Sequence, residues 1–201
     1  MRIGIVSDVH NNSEGLRIAL ERMGDVDLLL CAGDVVEEYR FRNEAVALLQ
    51  EREAHCVLGN HDLGLLAPSG TRAREADHVQ PELLRYLAAQ PTRTELAIDG
   101  KRLLMTHASP CAPGTQYVMR GSPELRRMAD VEADFIIIGH THAQLVERVG
   151  GALVINPGSV GLAVDPTNGR RHSYAVLDTR SDEVVIDDYA DSASRQRVAV
   201  P

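Results

Sequence analysis

The sequence predicts an α/β fold in which two mixed β-sheets pack together and helices cover their outer faces. Two observations lead to this prediction. Residues 1–60 alternate between apolar strand segments and helical patterns, whereas the later part of the chain contains mainly hairpins. Moreover, 44% of the 201 residues are hydrophobic, enough for one sizeable core, and no linker, repeat or low-complexity stretch divides them. We therefore expect residues 1–201 to form a single domain.

The first part of the chain has a β-α-β-α-β pattern. The three strands are expected at Arg2–Val6, Leu28–Cys31 and His55–Leu58, and helical patterns cover Ser13–Met23 and Arg40–Arg52. The strands are nearly continuous apolar runs, which is typical of parallel strands that are covered on both faces. This part therefore predicts a parallel sheet between two layers of helices.

The segment 64–80 has no clear periodicity and contains Pro68 and Gly70. This composition indicates a loop insertion or a short irregular lid. Pro81 is then expected to begin a helix that continues to about Ala89, because proline is favoured in the first helical turn.

The remaining strands are expected mainly in three hairpins, whose turns carry glycine or polar residues. They are Glu95–Ile98 with Arg102–Met105, Gln144–Val149 with Ala152–Ile155, and Tyr174–Asp178 with Val184–Tyr189. A helix near Pro123–Ala129 and an apolar strand at Phe135–Ile138 complete the prediction.

Composition excludes several classes of function. The net charge is −8, only 3% of residues are aromatic and there is no tryptophan, which argues against a groove for long nucleic acid. No apolar run approaches the ~18 residues of a membrane span, and the N-terminus lacks the features of a signal peptide. Three cysteines without a C-x-x-C pair are typical of a reducing compartment. We expect a cytoplasmic protein, compatible with a homodimer.

Polar residues follow the predicted strands at the point where each strand ends. They are Asp8, His10, Asp34, Asn60, His61, Asp62, His107, His140, His142, Asn156 and Ser159. Ligands of open α/β sheets bind beyond the carboxyl ends of the strands. These side chains are therefore expected to gather at one rim of the molecule.

The chemistry of this set indicates metal binding. Carboxylate, amide and imidazole donors without a thiolate suit Mn, Fe, Co, Ni or Zn, whereas all-oxygen sites suit Ca and Mg. The set contains more ligands than one tetrahedral zinc uses, so two metals that share a carboxylate are the economical arrangement. Two-metal sites with a separation of about 3.5–4 Å are typical of enzymes that cleave phosphate esters.

These motifs resemble those of the calcineurin-like metallophosphoesterases. The family pattern is D-x-H, G-D, G-N-H-D/E, H and G-H-x-H, and the sequence has DVH at 8–10, GD at 33–34, GNHD at 59–62, His107 and GHTH at 139–142. NPGS at 156–159 and the VG that follows are similar to the small prokaryotic phosphodiesterase branch. The resemblance implies a four-layer α/β/β/α sandwich.

The resemblance also implies a ligand set. One metal would be held by Asp8, His10, Asp34 and His142, and the other by Asp34, Asn60, His107 and His140. Asp34 would bridge the two ions, and His61 would be a non-ligand histidine near the leaving group. The sequence departs from the family pattern in the 64–80 segment and around Leu162, which concerns substrate specificity and not the metal site.

The implied activity is that of a binuclear metal-dependent phosphoesterase, with a phosphodiesterase favoured. A hydroxide that bridges two divalent transition-metal ions, preferably Mn, would attack phosphorus while His61 acts as general acid. Asp62 would either hold the His61 imidazole in the useful tautomer or cap the turn. Asn60 is neutral, and a third carboxylate in its place would cancel the net positive charge that attracts an anionic substrate.

Other residues have two interpretations each. Asn156, Gly158 and Ser159 would form an anion nest or pocket rim, or only a Pro-Gly turn. Asn11 or Asn12 would contact phosphate, or cap the helix before Glu14. His55, His78 and His172 match no motif, and we expect His55 in a strand and the other two at the surface.

Alternatives to a phosphodiesterase remain open. One is a non-catalytic scaffold, since a eukaryotic trafficking subunit has the same fold, and others are a phosphomonoesterase and a dinucleoside polyphosphate hydrolase. A scaffold tends to lose metal ligands, and here the set is complete, which favours the enzyme. The expected partner is a small phosphorylated substrate such as a nucleotide, and neither a membrane nor long nucleic acid.

Overall fold

The computed structural model describes residues 1–111 and 116–190. The strands within these residues are Arg2–Val6 (β1), Leu28–Cys31 (β2), His55–Cys56 (β3), Arg93–Ile98 (β4), Lys101–Thr106 (β5), Phe135–Ile137 (β6), Leu145–Val149 (β7), Ala152–Asn156 (β8), His172–Asp178 (β9) and Glu183–Tyr189 (β10). The α-helices are Ser13–Met23 (α1), Asn43–Glu51 (α2), Asn60–Leu66 (α3), Thr71–Arg74 (α4), Pro81–Ala88 (α5) and Pro123–Arg127 (α6).

The strands form two mixed sheets of five strands each. The first has the order β10-β9-β1-β2-β3. In it, β1, β2 and β3 are parallel to one another, and β9 is antiparallel to both of its neighbours, β1 and β10. The second has the order β4-β5-β6-β8-β7, with β5, β6 and β8 parallel and an antiparallel strand at each edge. The predicted pair of mixed sheets and all three predicted hairpins are confirmed.

An aliphatic core fills the space between the sheets. Successive side chains of a β-strand point to opposite faces of the sheet. In β1, Ile3 and Ile5 therefore join this core, whereas Val6 packs with the helices. Gly4 also faces the helices, where a side-chain carbon would lie 2.1 Å from Sδ of Met23. Glycine at this position therefore allows helix α1 to approach the sheet closely.

Helices cover the outer face of each sheet. Helices α1, α2 and α5 pack on the first sheet through apolar side chains that include Leu16, Leu49 and Leu87. Helix α6 and the 3₁₀ turn that follows it pack on the second sheet through Leu125 and Met128. The four layers are thus helix, sheet, sheet and helix, as predicted. None of the helices in the described ranges is long and apolar enough to cross a membrane.

The expectation of a loop at 64–80 is wrong for residues 64–74, which are mostly helical, whereas residues 75–80 are irregular and a role of the segment as a lid stays a prediction. Helix α3 continues to Leu66, and a 3₁₀ turn at Pro68–Gly70 leads into α4. The guanidinium of Arg74 donates hydrogen bonds to the carbonyl groups of Leu65 and Ala67, so distant side-chain contacts hold the turn in place. Gly70 packs tightly against Leu65, since a side-chain carbon would lie 1.9 Å from the Leu65 carbonyl oxygen.

The surface position expected for His172 is also wrong. His172 lies in β9 with 3% of its surface exposed, and its ring is 5.6 Å from the Tyr189 ring on the neighbouring strand β10. Pairing of β9 with β10 brings the two rings together. His78 is exposed and His55 lies in β3, as predicted.

Candidate metal centre

The polar residues that follow the strands converge at one rim, where both sheets present the carboxyl ends of parallel strands. Hydrogen bonds between the loops hold these ends together. The Asp8 N–H donates to the Gly33 carbonyl at 2.9 Å, and the Gly139 N–H donates to the His107 carbonyl at 2.8 Å. The N–H of Gly161 in turn donates to the Asp8 carbonyl at 3.1 Å, so loops from both sheets form one scaffold.

Asp8, His10 and His142 form the first group of donors. His142 Nε2 lies 3.2 Å from Asp8 Oδ1 and 3.2 Å from His10 Nε2. His10 Nε2 lies 3.9 Å from Asp8 Oδ1. All three side chains thus present nitrogen or oxygen atoms to one small volume, which is the geometry a metal ion requires.

Asp34, His107 and His140 form the second group. His107 Nε2 lies 3.1 Å from Asp34 Oδ2 and 3.2 Å from Asn60 Oδ1. The same Asp34 oxygen is 3.9 Å from His10 Nε2 of the first group. Asp34 therefore stands between the two groups, and the structure brings all seven residues predicted as ligands together.

Each carboxylate uses one oxygen to hold the scaffold and turns the other toward the imidazoles. Asp8 Oδ2 accepts hydrogen bonds from Ser7 Oγ at 2.6 Å and the His140 N–H at 3.1 Å, and Asp34 Oδ1 accepts one from the His61 N–H at 2.8 Å. Asp8 Oδ1 is buried and has no hydrogen-bond partner among the described residues. A buried oxygen without a hydrogen-bond partner is expected where a cation completes the site. The carboxylate, amide and imidazole groups of the cluster therefore fit divalent metal ions.

The histidines are oriented by backbone groups. His107 Nδ1 donates to the Ala32 carbonyl at 2.7 Å, and His142 Nδ1 lies 3.3 Å from the Leu162 carbonyl. A hydrogen bond from Nδ1 aims Nε2 at the cluster, where Nε2 can donate to a carboxylate when it is protonated or bind a metal ion when it is not. These two rings therefore present Nε2 to the carboxylates.

Burial and charge change the pKa values of these groups. Burial by itself lowers the pKa of His107. The hydrogen bond to Asp34 and the charges of Asp8 and Asp34 have the larger, opposite effect, and the net pKa is raised to about 9. Burial also lowers the pKa of His142, but the Asp8 carboxylate raises it more, so the net pKa is above its usual value. Burial raises the pKa of Asp34, yet His107 lowers it more, so the net pKa is below its usual value. The two buried carboxylates thus favour the protonated, positively charged forms of His107 and His142.

The backbone at the rim adopts a conformation that costs free energy. Five of the residues predicted as ligands have φ in the left-handed region: Asp8 at 54°, His10 at 45°, Asp34 at 52°, His140 at 69° and His142 at 57°. Asp and His tolerate this region better than most residues, but each instance still costs about 1–3 kcal/mol. Such residues concentrate at functional sites, because the surrounding structure holds them there.

Two glycines of the motifs allow this close packing. A side-chain carbon at Gly59 would lie 2.1 Å from Asp34 Oδ1, and one at Gly139 would lie 2.0 Å from Ser7 Oγ and 2.8 Å from Asp8 Oδ2. Any larger residue would push a carboxylate out of position. The glycines in G-N-H-D and G-H-T-H are therefore part of the metal centre, although they contribute no ligand.

Comparison with known proteins agrees with this geometry. The model of the calcineurin-like phosphoesterase superfamily domain matches residues 1–182. The chain belongs to this superfamily. It is 29% identical to a probable metallophosphoesterase of Bacillus subtilis (92% of this chain, 89% of that protein) and 26% identical to a phosphodiesterase of Methanocaldococcus jannaschii (79% and 83%).

A solved structure is similar in fold over nearly the whole chain. The metallophosphoesterase from Sphaerobacter thermophilus has a TM-score of 0.79 and 28% sequence identity, with 97% of this chain and 91% of that chain covered. Membership of the superfamily, together with the donor groups above, supports a metal-dependent phosphoester hydrolase, as the motifs predicted.

His61 lies at the edge of the phosphoesterase site. Its ring packs edge to face against His10, with 4.9 Å between the ring centroids, and its donor atom groups with those of His10 and Asp34. The ring is partly exposed, whereas the backbone N–H is held by Asp34. The position suits a group that meets substrate from the solvent side, and its role as general acid stays a prediction.

Asp62 is directed away from His61. Its carboxylate is completely buried and accepts hydrogen bonds from three backbone N–H groups, those of Gly59 at 2.9 Å, Val35 at 3.2 Å and Val36 at 3.0 Å. Burial raises the pKa of Asp62 to about 7, and the negative charge of Asp34 adds to this increase. Of the two roles predicted for Asp62, the geometry supports the turn cap, and orientation of His61 by Asp62 stays a prediction.

The residues predicted to bind substrate after β8 instead build the loops. Asn156 is fully buried; its amide donates to the Gly139 carbonyl at 2.8 Å and to Thr141 Oγ1 at 3.0 Å. The Gly158 N–H is used by Asn156 Oδ1, and Ser159 Oγ donates to the Asp8 carbonyl at 2.7 Å. These groups are engaged within the loops, which supports the predicted structural turn over the anion nest, and contact of this turn with substrate stays a prediction.

The two asparagines after His10 divide the predicted roles. Asn12 caps helix α1, because its Oδ1 accepts a hydrogen bond from the Gly15 N–H at 2.9 Å. Asn11 has φ of 63° and donates from its amide to the Arg40 carbonyl at 2.9 Å. Contact of Asn11 with phosphate stays a prediction.

Two residues that contact the donor cluster belong to none of the motifs. Ser7 Oγ donates to Asp8, and the ring of Tyr117 stacks on His140 with 4.5 Å between centroids and 19° between planes. A hydrophilic residue before D-x-H is a weak signal for the first. Tyr117 lies in a segment without any motif, and only its proximity to His140 in space shows its connection to the site.

The cap assigned to Asp62 makes a prediction about stability. Asp62→Ala leaves three buried N–H groups without an acceptor, so we expect the free energy of unfolding to fall by at least about 2 kcal/mol. Urea denaturation in EDTA measures this in the absence of metal. Asp62→Asn should keep part of the lost stability, and Asp77→Ala, at an exposed position, should have no effect. Unchanged stability in Asp62→Ala would contradict the cap.

Proposed function

We propose that this chain is a phosphodiesterase that uses two divalent transition-metal ions. The observation that carries the proposal is the convergence of two donor groups on Asp34. Asp8, His10 and His142 would hold one ion, and Asn60, His107 and His140 the other, with Asp34 shared between them. When bound, the ions would supply a nucleophile of lowered pKa and positive charge for the phosphate oxygens.

The charge of the donor set supports an anionic substrate. Asp8 and Asp34 are the two carboxylates in the cluster, whereas Asn60 contributes a neutral amide oxygen 3.2 Å from His107 Nε2. Two carboxylates leave two divalent ions with a net positive charge, even with a hydroxide present. A phosphodiester carries one negative charge, so the site attracts it without repulsion from a third carboxylate.

His61 is the proposed proton donor to the leaving group. The hydrogen bond from its N–H to Asp34 ties its backbone to the metal centre, and the packing of its ring against His10 places it beside the first donor group. Its imidazole would protonate the ester oxygen as the phosphorus–oxygen bond breaks. This role needs no partner carboxylate at Asp62, because contact with His10 and the start of helix α3 hold the ring.

A diester is preferred over a monoester on the basis of the relatives. The similar protein of Methanocaldococcus jannaschii is named a phosphodiesterase. Manganese is the proposed ion because the donors are nitrogen and oxygen atoms of intermediate softness. A cytoplasmic location and a homodimer remain predictions from the sequence.

Hydrolysis of bis-p-nitrophenyl phosphate tests the proposal. We expect release of p-nitrophenol with added Mn²⁺, loss of that release after EDTA, and recovery when Mn²⁺ is returned. Elemental analysis should find two ions per chain. Hydrolysis of p-nitrophenyl phosphate alone would indicate a monoesterase, and no metal-dependent release from either compound would indicate a scaffold.

Asn60→Asp tests the charge argument. The carboxylate should still bind metal, but it cancels the net positive charge, so we expect turnover of the diester to fall by about 100-fold or more. Elemental analysis before the assay separates loss of metal from loss of activity. Wild-type turnover by a fully loaded Asn60→Asp protein would contradict the argument.

His61→Ala tests the proton donor. General acid catalysis contributes about 10²–10⁴-fold, and it matters most when the leaving group is a poor one. We expect a much larger loss of kcat for a diester with an alkoxide leaving group than for one that releases p-nitrophenolate, with both metals retained. His55→Ala, an exposed histidine in β3, is the control and should behave as wild type. Equal losses for the two leaving groups would exclude the role.

A further inference from the structure

Tyr117 has a position that the proposed chemistry does not explain. Its ring lies nearly parallel to the imidazole of His140, yet 62% of the residue is exposed. A large aromatic residue usually gains stability from burial. Here one face of the ring covers a predicted metal ligand, and the residue keeps a large accessible surface beside the centre.

The residues that follow this stacked pair in the sequence line an apolar groove. Val118 and Met119 follow Tyr117, and Thr141 and Ala143 follow His140. Val164 also lines the groove. Met119 and Val164 are each 48% exposed and both line this groove, and exposed apolar residues that share one concave surface are typical of binding sites. The groove has a volume of about 570 Å³, within the range of small-molecule sites.

The polar groups of the groove already have partners. Arg120 forms an ion pair with Glu147 at 3.0 Å, and Asp165 accepts hydrogen bonds from Gln144 and Thr167. The groove therefore offers no unpaired cation for a second phosphate group among its described lining residues, and Asp165 adds a negative charge. This distribution favours an uncharged, apolar occupant over a polyphosphate chain.

Tyr117 and His61 lie beside different parts of the donor cluster. His61 packs against His10 of the first group, whereas Tyr117 packs against His140 of the second. A diester has one group that leaves and one that stays on phosphorus. His61 is the proposed proton donor to the leaving oxygen. The side of the donor cluster next to Tyr117 is then available to the ester group that stays bound to phosphorus.

We propose that Tyr117 and this groove form a subsite for a planar aromatic group, such as a phenyl ring or a nucleobase, on the retained ester of the substrate. The proposal rests on the proposed phosphodiesterase function and specifies its substrate class. In the reaction, water adds to phosphorus as the bond to the leaving oxygen breaks, and that oxygen takes up a proton. The retained aromatic group then remains on the product, a phosphate monoester.

Two esters with the same leaving group test the subsite by kinetics. We expect the metal-loaded enzyme to favour phenyl p-nitrophenyl phosphate over methyl p-nitrophenyl phosphate by about tenfold in kcat/KM, mainly through KM. Tyr117→Ala should reduce this ratio about five- to tenfold, because it removes the stacking face, and Tyr117→Phe should preserve it. Val164→Ala, which removes apolar surface from the groove and leaves Tyr117 in place, should reduce the ratio about threefold.

Binding of the product tests the subsite without turnover. Calorimetry on the Mn²⁺-loaded protein should show tighter binding of phenyl phosphate than of methyl phosphate, and Tyr117→Ala should remove the difference. If the protein hydrolyses neither ester but keeps this preference, the proposed function fails and the subsite stands. If the wild-type protein shows no preference in either measurement, the subsite fails.

Tyr39→Ala is the matched control, because Tyr39 is a tyrosine of similar exposure that lies outside the groove. It should retain the wild-type ratio and the wild-type preference. A parallel loss of both esters in Tyr117→Ala, accompanied by loss of metal, would overturn the proposal. Tyr117 would then only support the His140 imidazole.

Discussion

Burial of two carboxylates at the rim between the sheets is the constraint on which the rest of the site depends. Asp8 and Asp34 are almost inaccessible to water, and a buried charge is costly unless opposite charge and hydrogen bonds compensate it. One oxygen of each is satisfied by N–H or O–H groups of the loops, and the other faces imidazoles. The imidazoles, the left-handed backbone and the close glycine contacts all follow from the need to surround these two charges.

The first turn of helix α3 shows how one short segment serves three purposes. Successive side chains of a helix point about 100° apart, so Asn60, His61 and Asp62 have different surroundings. The amide of Asn60 joins the donor cluster, the His61 ring lies at its edge, and the Asp62 carboxylate turns inward to the backbone of the loop after Asp34. Asp62 thereby ties the helix to the loop that carries Asp34, and it supports the donor cluster without belonging to it.

The surroundings of the centre differ in character from the centre itself. The donor cluster concentrates charge in a small buried volume, whereas the groove beside Tyr117 is apolar and its charged groups are paired. A polar reacting centre next to an apolar groove is a common arrangement for enzymes, because the charged part fixes the reacting atoms and the apolar part binds the rest of the substrate. The loop after β6 contributes to both features, because His140 and His142 belong to the donor cluster and Thr141 and Ala143 line the groove.

The sequence by itself determined the features that depend on local pattern. The periodicity of apolar residues predicted β1, α1 and β2 with the same ends that the structure has, and the polar residues after the strands predicted which side chains would meet. Local patterns suffice here because strand and helix periods are set by neighbouring residues, and parallel strands carry their ends to one rim.

Only the tertiary structure decided which atoms each side chain contacts. Asp62, Asn156 and His172 have functions set by backbone groups or rings that are distant in the sequence or on another strand, so no local pattern distinguishes a cap or a buried ring from a catalytic group. The helical turns between residues 64 and 74 depend on contacts of Arg74 with Leu65 and Ala67. Tyr117 is next to the donor cluster because the fold places its ring on His140. Contacts of this kind form when loops and neighbouring strands come together in the folded chain, and the local pattern of apolar residues does not reveal them.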